Sequence, residues 1–114
     1  MNIPNQAALM RIYTDEKARS GHKALFEVIV SKARDQGLAG ATVLRGPMGF
    51  GHTHRIQNAS ILNLAANLPL VIEIVDAEDR LRAFLDTLES MEDIGLVTLE
   101  KVEVLHHGAP PTLP

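Results

Sequence analysis

The stretch from Arg45 to His54, RGPMGFGHTH, concentrates residues that could do chemistry. Its glycines allow a backbone to approach a ligand closely, and consecutive glycine N–H groups can form a concave anion-binding nest. Arg45 and Arg55 flank the stretch, and a guanidinium can hold a phosphate through two parallel hydrogen bonds. The stretch matches neither the GxxxxGK[ST] pattern of a P-loop nor a strand-to-helix dinucleotide fingerprint. It predicts either a small anion site or a permissive hairpin loop that only needs glycine.

Four histidines form a second set of candidate groups, because imidazole is a common ligand for zinc, copper and nickel. They are His52, His54, His106 and His107. If the second and the last main strand end on the same side of a sheet, these side chains could converge on one metal ion. No carboxylate or thiolate stands at a characteristic spacing beside them, so the alternative is exposed histidines without a metal.

Glu73 lies inside the strand-like segment VIEIV. A carboxylate among buried apolar side chains must be paired, or lie at a subunit interface or in a ligand cleft. The alternation of the segment equally allows Glu73 to lie on a solvated side of the sheet. The chain shows neither a Ser-His-Asp set nor a pair of carboxylates at a defined spacing, so no enzymatic centre stands out.

The composition is that of one globular domain, with 114 residues, 46% hydrophobic and 22% charged. A formal net charge of −3 disfavours a protein that neutralises many nucleic-acid phosphates. The absence of cysteine excludes disulfide and thiolate chemistry. We find no secretory signal and no apolar run of membrane-spanning length. We therefore expect a cytoplasmic protein with no nucleic-acid partner and no membrane insertion.

The elements that must position these residues follow from hydrophobic periodicity. We predict main strands at 7–14, 41–45, 69–76 and 96–105, with a bulge near Glu100 in the last, and a shorter strand near 60–64. One helix runs from His22 to a left-handed Gly37, and another, capped by Asp76, ends at Gly95.

This β-α-β-β-α-β order predicts an α+β, ferredoxin-like fold, in which two helices cover one face of a four-stranded antiparallel sheet. Because VIEIV is apolar on both sides, the other face should be covered by further copies of the chain. We expect a single domain over residues 1–114, with an ordered core at about 7–106 and an extended tail at 107–114.

Three segments, GATVLRGPMGFGHTHRI, LPLVIEIVDAED and GLVTLEKVEV, resemble the "domain of unknown function 190" family, which is similar in fold to the nitrogen-regulatory PII signalling proteins. The resemblance implies a PII-like homotrimer whose sheets face inward. It also implies that the loop between the second and third main strands contacts effectors, and that adenine nucleotide binds between subunits. On this resemblance Gly49, Phe50 and Gly51 line the cleft, and the neighbouring subunit contributes Gly40, Ala41, Thr42 and Glu73.

Departures from the PII pattern bear on the ligand. His52 and Thr53 stand where PII proteins carry an Arg-Gln pair, and the short segment SMEDIGLV replaces their glycine-rich phosphate loop. The basic residues of the last PII strand are absent, although Lys101 could replace them in part. We therefore expect AMP or ADP rather than ATP; the alternatives are another small anion and no ligand at all.

The leading interpretation is a non-enzymatic, trimeric PII-like regulator that senses a small anionic metabolite at the cleft between subunits. Its output is a ligand-dependent conformation of residues 46–64. Its target is an unknown protein, and by PII analogy a membrane transporter or channel is a candidate. The alternatives are a histidine-based metal-binding trimer and, third, a small ferredoxin-like enzyme. The predicted ligand-binding residues are Gly40, Ala41, Thr42, Arg45, Gly49, Phe50, Gly51, His52, Arg55, Glu73 and Lys101.

Overall fold

The computed structural model describes residues 3–51, 53–59 and 66–108. Its elements, in chain order, are strands β1 (Gln6–Asp15), β2 (Arg19–Ser20) and β3 (Lys23–Ala24), helix α1 (Leu25–Asp35), strands β4 (Thr42–Arg45), β5 (Met48–Gly49), β6 (Gln57–Asn58) and β7 (Pro69–Asp76), helix α2 (Glu78–Glu89) and strand β8 (Val97–Glu103). The main sheet has the strand order β4-β7-β1-β8, and every neighbouring pair is antiparallel. The predicted α+β, ferredoxin-like architecture is confirmed.

The core lies between the sheet and the two helices. Alternate residues of the central strands point into it, among them Met10 and Ile12 of β1 and Ile72 of β7, all at most 2% exposed. The helices pack against these strands through apolar residues three and four positions apart, which lie on one side of each helix. These buried helical residues are Leu25, Ile29 and Ala33 of α1 and Leu81, Phe84 and Leu88 of α2. Burial of each large side chain contributes about 1.5–3 kcal/mol.

The opposite face of the sheet is covered by no element in the described part of the chain. The register brings Arg11 opposite Glu73 and Leu9 opposite Val75, so charged and apolar side chains share this surface. Apart from Ala7 at one end, which is 5% exposed, its residues are half-buried or exposed. We call this surface the open face; its residues are Leu9, Arg11, Tyr13, Thr42, Leu44, Val71, Glu73, Val75, Thr98 and Glu100.

Helix α1 ends as its sequence indicates. Gly37 has φ 74°, its N–H donates to the carbonyl of Arg34, and the N–H of Leu38 donates to that of Ala33. This pair of bonds is a Schellman motif, which needs a left-handed residue at Gly37. The predicted start at His22 is wrong by three residues, because His22 follows Gly21 (φ 62°) in the tight turn between β2 and β3.

Strand β8 contains no bulge, contrary to the prediction, because its register with β1 is continuous from Val97 to Glu103. The change of hydrophobic phase has another cause. Val97 and Leu99 pack against the core, whereas Lys101 is on the same face and exposed. The break in the pattern therefore marks the limit of the helical layer. Helix α2 also ends earlier than predicted, at Glu89 instead of Gly95.

Gly95 lies beside strand β1 and hydrogen-bonds to it. Its N–H donates to the carbonyl oxygen of Tyr13 at 3.1 Å, and the Tyr13 N–H donates to Leu96 at 2.8 Å. A Cβ at Gly95 would lie only 2.6 Å from that Tyr13 oxygen, which belongs to the backbone of a central strand and cannot move freely.

We expect Gly95→Ala to lower the free energy of unfolding by about 1–3 kcal/mol, the usual cost of overpacking. Urea unfolding followed by circular dichroism measures it. The matched control is Gly40→Ala, because a Cβ at Gly40 would meet nothing within 4 Å. Equal stability of the two variants would contradict the steric argument.

Residues 46–68 connect β4 to β7, and we call them the loop. Within it β5 and β6 form a two-stranded ribbon that pairs Met48 with Asn58 and Gly49 with Gln57. The strand predicted at 60–64 lies outside the described residues, as does the tail from 109 onward. The last described residues, His107 and Gly108, are exposed and belong to no strand.

Candidate functional site

The entry of the loop is built on Pro69. Gly46 donates its N–H to the Pro69 carbonyl at 2.9 Å, and a Cβ at Gly46 or Gly49 would lie 3.1 Å from Pro69 Cγ. Neither glycine has a positive φ; the described glycines that do are Gly21 and Gly37. The close approach of a proline ring is therefore one reason for glycine at both positions.

The tip of the loop is open and partly aromatic. Phe50 is 61% exposed, and its ring centroid lies 5.5 Å from that of His54. His54 has φ 60° and donates its N–H to the Gly51 carbonyl at 2.9 Å, so the chain turns sharply here. A Cβ at Gly51 would meet nothing within 4 Å, and His52 lies outside the described residues. This tip presents an aromatic ring and accessible backbone to solvent.

Apolar side chains are also exposed along the ribbon and where it leads into the tip. Met48, Phe50 and Ile56 are each about 60% exposed, and we call them the apolar patch. Exposed apolar residues that cluster in this way are typical of surfaces that bind other molecules. Arg55 is exposed beside Ile56.

Both stems of the loop are tied to the corner that follows β1. Glu16 accepts a hydrogen bond from Arg45 Nη1 on Oε2 and one from the Leu68 N–H on Oε1, both at 3.2 Å. Glu16 in turn donates its N–H to the Leu68 carbonyl at 3.1 Å. Asn67 accepts from the Lys17 N–H at 2.9 Å and donates its own N–H to Gln57 at 3.0 Å. One short corner therefore positions the residues that enter and leave the loop.

The segment that leads into β4 is held by a hydrogen bond to the end of β7. The Ala39 N–H donates to the buried carboxylate of Asp76 at 2.9 Å. Gly40 and Thr42 are exposed, whereas Ala41 packs against the core. Thr42 stands opposite Glu73 in the β4–β7 register, so these two predicted site residues lie together on the open face.

Glu73 belongs to an ionic group at the centre of the open face. Arg11 Nε donates to Glu73 at 3.0 Å, and Arg11 Nη1 donates to Glu100 at 2.5 Å. The hydrogen bonds that Arg11 donates to Glu73 and, next, to Glu100 raise the pKa of its guanidinium above the ordinary value. The group carries one positive and two negative charges. Glu73 is therefore paired, one of the outcomes that the sequence left open.

Lys101 is separated from the other predicted ligand residues within one chain. It lies on β8, at the opposite edge of the sheet from β4, and three strand spacings amount to about 14 Å. The hydrogen bond and the charge of Arg82 lower the pKa of Glu78, and the charge of Lys101 makes a smaller contribution in the same direction. Lys101 can join the loop only through a neighbouring copy.

The described candidate histidines, His54, His106 and His107, do not converge within one chain; His52 lies outside the described residues. The ladder places Arg45, the end of β4, level with Thr14, and Glu103, the end of β8, level with Gln6. These strands therefore end at opposite ends of the sheet, on the order of 25 Å apart along the strands. His106 and His107 line a shallow depression of about 310 Å³ with Ile3, Asn5, Val104 and Leu105. Among the described residues no group of three or more side chains is placed to hold a metal ion.

Comparison with known proteins gives the family. Residues 7–104 match the "domain of unknown function 190" (DUF190) family, described as "Uncharacterized ACR". The chain belongs to the DUF190 family. A UPF0166 protein of Aquifex aeolicus is 37% identical over 98 residues, which cover 86% of this chain and 92% of that protein. A UPF0166 protein of Methanocaldococcus jannaschii is 29% identical over 100 residues, which cover 87% and 92%.

A solved structure shows that the fold is similar to that of a PII protein. CPII from Thiomonas intermedia K12, in a structure bound to ADP and bicarbonate, matches with a TM-score of 0.56 and 18% identity. The match covers 87% of this DUF190 chain and 88% of CPII, so the PII-like fold extends over nearly the whole chain. Neither described helix is both long and apolar enough to cross a membrane.

Sequence reasoning missed two residues that position the site in this DUF190 protein. Glu16 bonds to Arg45 and Leu68, which are 29 and 52 positions away in sequence. Arg11 lies 62 positions from Glu73. No local spacing links such pairs; only the strand register brings them together. One available signal was the acidic pair Asp15-Glu16 directly after a strand, since carboxylates at strand ends often bind turn N–H groups.

Proposed function

We propose that this DUF190 protein is a cytoplasmic, non-enzymatic PII-like regulator that assembles as a homotrimer and senses a small anion. AMP or ADP is the first candidate for the ligand. The observation that carries the proposal is the PII-like fold with the loop anchored on the β4 edge of the sheet. The structural neighbour CPII is bound to ADP and bicarbonate, which are both anions.

The open face supports assembly. Leu9, Val71 and Val75 lie on the central strands without a covering layer from any described element, and Leu44 at the β4 edge is 48% exposed. Burying such surface contributes about 25 cal/mol per Å², and closed symmetric oligomers are the usual way to achieve it.

The loop supplies groups suited to an adenine nucleotide. The exposed Phe50 ring could stack on a base, an interaction worth about 1–3 kcal/mol per base. Arg45 and Arg55 supply positive charge for phosphate oxygens, and Gly51 leaves backbone accessible. The neighbouring copy would contribute Gly40, Ala41, Thr42 and Glu73 to the same cleft. His52 lies beside Gly51 in sequence and stays a predicted ligand residue.

The output would be the conformation of the loop. A ligand can shift the loop only by binding one of its arrangements more tightly than another. The apolar patch is the surface that a target protein would contact, and by PII analogy a membrane transporter or channel is a candidate target.

Isothermal titration calorimetry tests the ligand. We expect AMP or ADP to bind the wild-type protein more tightly than ATP, and Phe50→Ala to weaken that binding about 5- to 100-fold through loss of stacking. Met48→Ala is the matched control, because Met48 is equally exposed on the same ribbon but offers no aromatic ring. Flat titrations with all three nucleotides would remove the nucleotide from the proposal.

A further inference from the structure

Glu16 joins the two stems of the loop through a single carboxylate. Oε2 accepts from Arg45, in the stem that enters the loop, and Oε1 accepts from the Leu68 N–H, in the stem that leaves it. We call this arrangement the Glu16 bridge. Because the two oxygens belong to one planar carboxylate, the contacts to Arg45 and to Leu68 are geometrically linked.

The partner that Glu16 offers to Arg45 has the chemistry of the proposed ligand. A carboxylate oxygen and a phosphate or carbonate oxygen are both anionic acceptors for a guanidinium. The Arg45 side chain is 64% exposed and that of Glu16 is 31% exposed, so solvent and small anions reach the pair. Exposed ion pairs are weak, and an incoming anion therefore faces only a small competing interaction.

The remaining bonds of the corner do not depend on Arg45. Glu16 still donates its N–H to Leu68, Asn67 still bonds to Lys17 and Gln57, and Gly46 still donates to Pro69. Loss of the Arg45 contact would therefore change the link between the two stems without releasing the loop from the sheet.

We propose that Glu16 is an internal competitor for the anion ligand, occupying Arg45 when no ligand is bound. A phosphate-bearing ligand or bicarbonate would replace the carboxylate at Arg45. The Glu16 side chain would then hold only Leu68, and the two stems would lose this side-chain link while keeping their backbone bonds. The identity of the ligand rests on the proposed function, whereas the competition at Arg45 rests on the geometry of the bridge.

The test compares Glu16→Gln with wild type in the full-length protein. Glutamine can still accept the Leu68 N–H through its amide oxygen but no longer competes as an anion. We expect inorganic phosphate and ADP each to bind Glu16→Gln about 2- to 5-fold more tightly than wild type, the range for one exposed ion pair. The control is Glu103→Gln, which removes the same charge at the opposite end of the sheet and should leave the affinity unchanged.

A second measurement follows the coupling itself. In nuclear magnetic resonance titrations with phosphate, the Leu68 amide of the wild type should shift together with the Arg45 side-chain N–H signal. In Arg45→Gln the Leu68 amide should stay in place at the same phosphate concentration.

The outcomes separate the two proposals. If ADP binds wild type and Glu16→Gln equally, the Glu16 bridge is not a competitor, and the proposed function stands. If phosphate binds more tightly to Glu16→Gln but neither protein binds a nucleotide, the competition stands and the nucleotide is overturned. If neither protein binds any anion up to millimolar concentration, both proposals fail.

Discussion

An aspartate in place of Val75 should convert the proposed homotrimer into a folded monomer. Val75 lies on the open face, opposite Leu9 in the register of the two central strands. In a trimer built on this face, each copy would bury one new carboxylate without a partner, at a cost of several kcal/mol. Val75 is also at the far end of β7 from the loop, so the substitution leaves the loop intact.

Light scattering coupled to size-exclusion chromatography measures the change. The wild type should have three times the monomer mass of 12.4 kDa, and Val75→Asp should have the monomer mass. Ala83→Asp places the same charge on an exposed position of α2 and should stay trimeric. Circular dichroism checks that Val75→Asp keeps its helices. A monomeric wild type, or a trimeric Val75→Asp, would refute assembly through the open face.

The second large effect is expected at Asp76, the buried charged residue at the end of β7. Its carboxylate is 1% exposed and accepts hydrogen bonds from the Ala39 and Ala77 N–H groups at 2.9 and 2.7 Å. It also forms an ion pair with Arg80 at 3.2 Å. Nη2 of Arg80 in turn donates to the Gly37 carbonyl at 2.8 Å. Asp76 thus joins the end of α1, the entry to β4 and the first turn of α2.

Asp76→Ala should lower the free energy of unfolding by about 3 kcal/mol, because it leaves the Ala39 and Ala77 N–H groups without their acceptor and removes a charged partner of Arg80. Urea unfolding at fixed protein concentration measures the loss. The control is Asp79→Ala, an exposed acidic residue of the same first turn, which should cost no more than about 1 kcal/mol. Equal losses in the two variants would show that only the helix-terminus charge matters.

Asp76 also shows where sequence reasoning reached its limit. Its position before α2 predicted a helix cap, yet α2 has Ala77 at its N-cap and no side-chain cap bond. The carboxylate instead turns toward Ala39, which is 37 positions away in sequence. The main elements were accessible because hydrophobic periodicity is local, and residues 69–76 form a strand as predicted.

Features that depend on the packing of distant elements could not be predicted from the sequence. The break of pattern at Glu100 and Lys101 predicted a bulge, because nothing local shows where the helical layer stops covering β8. The candidate loop was found from its glycines and arginines. Its support by Glu16 was not found, since that contact depends on the register of β1 with β7.

The contact between Pro69 and two loop glycines constrains how sequences of this family can diverge. A side chain at Gly46 or Gly49 would meet the Pro69 ring at 3.1 Å, so these three positions should vary together among relatives. Gly51 and the exposed Phe50 carry no such restriction from the described structure. The tip of the loop can therefore acquire new binding specificities by drift and selection while its base remains fixed, which separates the evolution of recognition from that of the scaffold.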